Sequence, residues 1–146
     1  MGAVAFHSGV ADKLAYACRL VRKAWRGGQR VLVTGPADQL ARLDALMWTF
    51  EVGEFLPHVR LRAGQALAPH LARTPVLLAE RAEAADMREV LVNLGPGPVA
   101  GAAGFVRVVE LVAEGEDEVL AGRQRWRQYL AAGIQPTSHR VDAPQA

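Results

Sequence analysis

The stretch from Glu116 to Gly133, EDEVLAGRQRWRQYLAAG, puts positive charge on an apolar helical face. At about 100° per residue, Val119, Trp126 and Leu130 fall on one side, Tyr129 and Leu120 lie on its margins, and Arg123 and Arg127 fall inside the same arc. An ordinary amphipathic helix turns its arginines to the far side, where Gln124 and Gln128 sit. Two guanidinium groups around an indole make a shelf that is partly apolar and partly cationic. Such a shelf suits a ligand with both a carboxylate and an apolar side chain. The same residues also fit a structural role, because arginine lays its methylenes over the edge of a core and keeps its head in water. The helix alone leaves both readings open.

A second constellation lies in Arg42 to His58, RLDALMWTFEVGEFLPH, where Trp48, Phe50, Phe55 and Leu56 leave a helix as its pattern ends. Aromatics that follow no element's periodicity either plug a core or form an exposed interaction patch. Pro57 and His58 then fix the exit of the chain.

Sites for catalysis are harder to find. No G-x-x-x-x-G-K-[ST] is present, and the glycine-rich Gly95 to Gly101, GPGPVAG, misses the dinucleotide spacing, with Pro96 and Pro98 removing two N–H groups that a phosphate would need. Gly35-Pro36 stands where a phosphate loop would, but reads as a turn. His7, His58, His70 and His139 show no metal-ligand spacing, and Cys18 adds no cluster, so neither a metal nor a cofactor is expected. Ser8 and Ser138 lie near the two ends, outside any nucleophile elbow.

The elements that must position these residues alternate. Ala3 to Phe6 reads as a strand, Asp12 to Arg26 as a helix stopped by Gly27-Gly28, Arg30 to Thr34 as a strand, and Ala37 to Met47 as a helix. Pro75 to Ala79, Arg88 to Asn93 and Arg107 to Val112 are apolar runs of the kind buried on both faces of a sheet. Val59 to Thr74 reads as loop or a poorly defined element, Val99 to Gly104 as a turn or two of helix, and Glu114 to Asp117 supplies acids to the start of the closing helix. On the helix read from Asp12 to Arg26 the basic residues, Arg22 among them, are expected mostly on the face away from Leu14, Ala17, Cys18, Val21 and Trp25. The pattern predicts an α/β layer sandwich with a mainly parallel sheet and helices on both faces. It is read as a single domain, residues 1–134, followed by a polar tail, 135–146, expected to be flexible.

The 146 residues are 51% hydrophobic and 22% charged, an ordinary globular balance that excludes disordered and fibrous classes. A formal charge of +2 does not announce a nucleic-acid binder, although residues 1–30 hold six Lys or Arg against Asp12 alone. One cysteine, no signal peptide and no long apolar run point to a soluble cytoplasmic protein away from membranes.

Taken together, GGQRVLV, the spaced R-L-D-x-x-x-W and F-L-P-H, RVVELV and R-Q-R-W-R-Q-Y-L-A-A-G-I resemble the chi subunit of the bacterial DNA polymerase III holoenzyme. The likeness runs from the first strand to about Ile134 and is weakest between Val59 and Thr74. It implies a Rossmann-like three-layer sandwich without nucleotide-binding or catalytic activity. It also implies an adaptor that binds the acidic C-terminal tail of single-stranded DNA-binding protein and, through another surface, the psi subunit of the clamp loader. DNA is then contacted only indirectly. The resemblance carries tail binding to Val112, Arg123, Trp126 and Arg127, and the psi interface to Trp48, Phe55, Pro57 and His58, a surface that a helicase could also occupy. Two departures stand out: Trp126 replaces a usual tyrosine, and Val119 replaces a lysine in the first turn of the last helix. Competing classes are a domain that binds single-stranded nucleic acid directly through its basic N-terminal helix, and a small nucleotide-dependent enzyme.

Overall fold

The computed structural model describes residues 2–50, 55–62, 67–71 and 73–141. Among these residues seven strands make one sheet: β1 (Ala3–Val10), β2 (Val31–Thr34), β3 (His58–Arg60), β4 (Val76–Leu78), β5 (Val90–Asn93), β6 (Arg107–Ala113) and β7 (Thr137–Arg140). Their spatial order is β3-β4-β2-β5-β6-β1-β7, and every pairing is parallel. The α-helices among the described residues are α1 (Lys13–Arg26), α2 (Ala37–Thr49) and α3 (Glu116–Ala131).

The three interior strands β4, β2 and β5 are buried along their whole length, as continuous apolar runs require in a sheet covered on both sides. Side chains alternate between two cores. Val31, Val33, Val76, Leu78, Val92 and Leu111 meet Ala17, Cys18, Val21, Leu40, Leu43 and Met47 of α1 and α2. On the other face Leu32, Leu77, Leu91, Val108 and Phe6 meet the partly buried Trp126 and Tyr129 of α3. Helices therefore cover both faces of the sheet, and the architecture is the expected Rossmann-like one.

Local chemistry sets the helix ends. The Asp12 carboxylate accepts from Ala15 N at 3.1 Å and caps α1, and Gly28 takes φ +80 beyond its C-terminus, where a side chain would be strained. Three acids, Glu116, Asp117 and Glu118, occupy the first turn of α3. Glu118 also accepts from Ala113 N at 3.1 Å and pairs with Lys13 Nζ at 3.1 Å, tying α3 to β6 and to α1.

Four expectations need correcting. The stretch from Val59 to Thr74, read as loop or a poorly defined element, contains most of β3 at one sheet edge, and Thr137–Arg140, placed in the flexible tail, is β7 at the other. Residues 142–146 lie outside the described residues. Arg22, expected on the outer face of α1, is buried. The short helix read at Val99 to Gly104 is a single 3-10 turn, Ala102–Gly104.

Candidate functional site

Helix α3 lies on the sheet through a small residue and a charged one. Gly122 faces Val112 so closely that a methyl group there would sit 2.9 Å from Val112 Cγ2. One turn further on, Arg125 is buried and its Nε donates to Glu110 Oε1 at 2.8 Å. Arg125 also donates to the Pro96 carbonyl at 2.9 Å and the Leu111 carbonyl at 3.2 Å. Glu110, enclosed in the middle of β6, receives Asn93 Nδ2 at 2.9 Å and the Tyr129 hydroxyl at 2.7 Å. Burial, followed by the charge and hydrogen bond of Glu110, holds the Tyr129 hydroxyl well above the ordinary tyrosine range, so it stays a donor. Each nitrogen of the guanidinium and each oxygen of the carboxylate thus has a partner, the condition for keeping charge inside a protein.

This anchor decides where the next side chain points. Trp126 packs its ring 5.1 Å from that of Phe6 on β1, and Phe6 lies edge-on to Tyr129 at 5.9 Å. Trp126 keeps one side open toward a groove of about 460 Å³ that runs between α3, the end of β6 and the β1–β7 edge. Val112 and Gly122 lie deep in it, and Val119, Arg123, Glu114 and Arg140 stand around it. The side chain of Arg123 is exposed and has no ionic partner among the described residues.

The structure therefore brings Val112, Arg123 and Trp126 together on one groove and leaves Arg127, which is exposed, off its lining. The apolar arc read from α3 is also displaced: Val119 is 38% exposed and Leu130 44%, while the buried positions are Gly122 and Arg125. Two signals pointed to this packing. Glu110 is an acid inside the apolar run RVVELV and needs a buried partner, and Gly122 is a helix-interior glycine, which marks close approach.

The second constellation forms a separate patch. Trp48, 58% exposed, and Phe55, 60% exposed, have ring centroids 5.5 Å apart. Pro57 is half-buried beside them, and residues 51–54 lie outside the described residues. His58 is buried under Trp48 with centroids 4.7 Å apart; its Nδ1–H donates to the Leu56 carbonyl at 2.7 Å, and its Nε2 lies 3.0 Å from Asp44 Oδ1. It supports the patch from beneath.

At the C-terminal ends of β2 and β5, where the connections turn to opposite sides and such folds commonly hold nucleotides, a crevice of about 350 Å³ is lined by Pro36, Gly95, Pro96 and Pro98. Its base is tied internally: Thr34 Oγ1 donates to Asn93 Oδ1 at 3.3 Å, and Gly95 N donates to the same oxygen at 3.0 Å. Among the described residues no cluster of three or more His, Cys, Asp or Glu could hold a metal ion, and no helix is long and apolar enough to cross a membrane.

Fold and site together define a Rossmann-like α/β domain with an open groove beside α3. Residues 1–137 match the family described as DNA polymerase III chi subunit, HolC. The DNA polymerase III subunit chi of Pseudomonas aeruginosa is 35% identical over 133 residues, covering 88% of this chain and 87% of that protein. The protein of the same name from Haemophilus influenzae is 24% identical over 119 residues, covering 80% and 79%. The chain belongs to the DNA polymerase III chi subunit family.

Proposed function

We propose that this chi subunit is a non-catalytic cytoplasmic adaptor whose groove binds the acidic C-terminal tail of single-stranded DNA-binding protein. The observation that carries this reading is the half-buried Trp126 beside Arg123, which is unpaired among the described residues, over the apolar floor of Val112. The terminal carboxylate of the tail pairs with Arg123 through charge-assisted hydrogen bonds, and its apolar end packs on Trp126 and Val112. Arg127 contributes at longer range, through its positive field. The exposed Trp48–Phe55 patch, braced by Pro57 and His58, binds the psi subunit of the clamp loader or a helicase, and so links the tail to the replisome. DNA is reached through these partners.

Calorimetry with a synthetic tail peptide tests this. Arg123→Ala is expected to weaken binding by about 2 kcal/mol or more, as loss of a hydrogen-bonded charge does, and Trp126→Ala by a similar amount. Isotherms unchanged in both variants would reject the groove as the binding site.

A further inference from the structure

The groove has a wall that the helix does not supply. Strand β7 pairs with β1 in parallel register, with Phe6 opposite Ser138 and Ser8 opposite Arg140. Phe6 faces α3, and residues two apart on a strand share a face. Arg140 therefore emerges on the α3 side, and it lines the groove with Ser138.

Beneath it lies Gly9. The β1–β6 register shifts between His7 and Val10, and within that irregularity Gly9 takes φ +71. A methyl group on Gly9 would lie 3.5 Å from Arg140 Cζ, so the guanidinium rests over bare backbone. The Arg140 side chain is exposed, and no hydrogen bond or ionic partner engages it among the described residues. Across the groove stands Arg123; Glu114 is the sole carboxylate among the lining residues.

We infer that Arg140 is the second cation of the groove, so that an acidic peptide end is held between α3 and β7 rather than along α3 alone. This rests on the groove being the peptide site. Arg127, the second basic residue on α3, does not line the groove, whereas Arg140 does. An anion with a single charge would engage one wall. A chain end carrying a terminal carboxylate and separate side-chain carboxylates spans both, with Arg123 on the terminal group and Arg140 on the preceding acids.

The test uses the full chain and a synthetic acidic peptide with an apolar C-terminal residue, in three forms: free terminus, amidated terminus, and upstream aspartates changed to asparagine. Arg140→Ala is expected to weaken the free peptide about fivefold, the upper range for an exposed ion pair, and to flatten the salt dependence. It should also lose the preference for aspartate over asparagine while keeping the preference for a free terminus. Arg123→Ala should show the converse pattern, Arg140→Lys should recover most of the affinity, and Arg127→Ala should change little. If Arg140→Ala binds as the parent does while Arg123→Ala and Trp126→Ala are weakened, Arg140 is not part of the site and the groove reading stands. An equal loss in Arg127→Ala and Arg140→Ala would reduce the effect to net charge and overturn the inference. Full binding by all these variants would remove the groove as well.

Discussion

Arg125 Nε lies 2.8 Å from Glu110 Oε1 with both side chains enclosed between α3 and the sheet. Trp126 follows Arg125 directly in sequence, so the ion pair that docks the helix also sets the direction of the indole. Packing and recognition are joined at two consecutive residues.

Breaking that pair should cost far more than a surface bridge would. Arg125→Met leaves the Glu110 charge buried and is expected to destabilise the fold by about 3 to 5 kcal/mol. Adding Glu110→Gln removes the charge and keeps an acceptor for Tyr129, so the double variant should be more stable than Arg125→Met alone. Urea denaturation measures both. A loss under about 1 kcal/mol for Arg125→Met would match an exposed pair and contradict the account.

Gly122 sets two effects against each other. Alanine in a helix interior gains about 1 kcal/mol over glycine, but overpacking a fitted contact costs about 1 to 3 kcal/mol. A Cβ placed 2.9 Å from Cγ2 and 3.2 Å from Cγ1 of a stiff β-branched residue makes the second term win. Gly122→Ala should therefore lower stability, and in a Val112→Ala background the same change should raise it. Thermal melts of the four proteins would show the reversal of sign.

The sequence made the centre of the sheet legible because β2, β4, β5 and β6 are buried on both faces and read as unbroken apolar runs. The edges were not legible. Every residue of β7, TSHR, is exposed, and β3 has three residues directly after a proline, so neither shows an alternating pattern. The site was half legible. Trp126, Arg123 and Val112 line one groove, but α3 buries Gly122 and Arg125, which a search for hydrophobic periodicity passes over. Arg140 was hidden because its groove position depends on β7 pairing with β1, a contact between distant ends of the chain.

Acid should weaken the fold through His7. Its Nδ1 meets the Tyr16 hydroxyl at 2.5 Å and its ring stacks edge-on against His139 of β7 at 5.4 Å. Burial, followed by repulsion from His139 and Arg107, lowers its pKa to about 4, below the ordinary 6.5. The unfolded chain then binds the extra proton between those values, so the stabilisation is full above pH 6.5 and is lost as the pH falls toward 4. Melting temperatures of the parent should decline across that window, and His7→Gln should flatten the decline. A parallel decline in both proteins would place the acid sensitivity elsewhere.

Cys18 lies buried among α1 and sheet residues, and burial raises its thiol to about 11. At pH 8 the thiolate is then about one part in a thousand, well below that of a free cysteine. A thiol reagent such as 5,5′-dithiobis(2-nitrobenzoate) should react slowly with the native protein and fully in denaturant. Rapid native labelling would contradict the burial of this face of α1.

The central claim is that the groove beside α3 takes the acidic peptide end, and the indole N–H signals of Trp25, Trp48 and Trp126 report on it directly. Titrating ¹⁵N-labelled protein with the tail peptide should shift the Trp126 signal progressively and leave Trp48, on the separate patch, in place. Movement of Trp48 with Trp126 unchanged would contradict it.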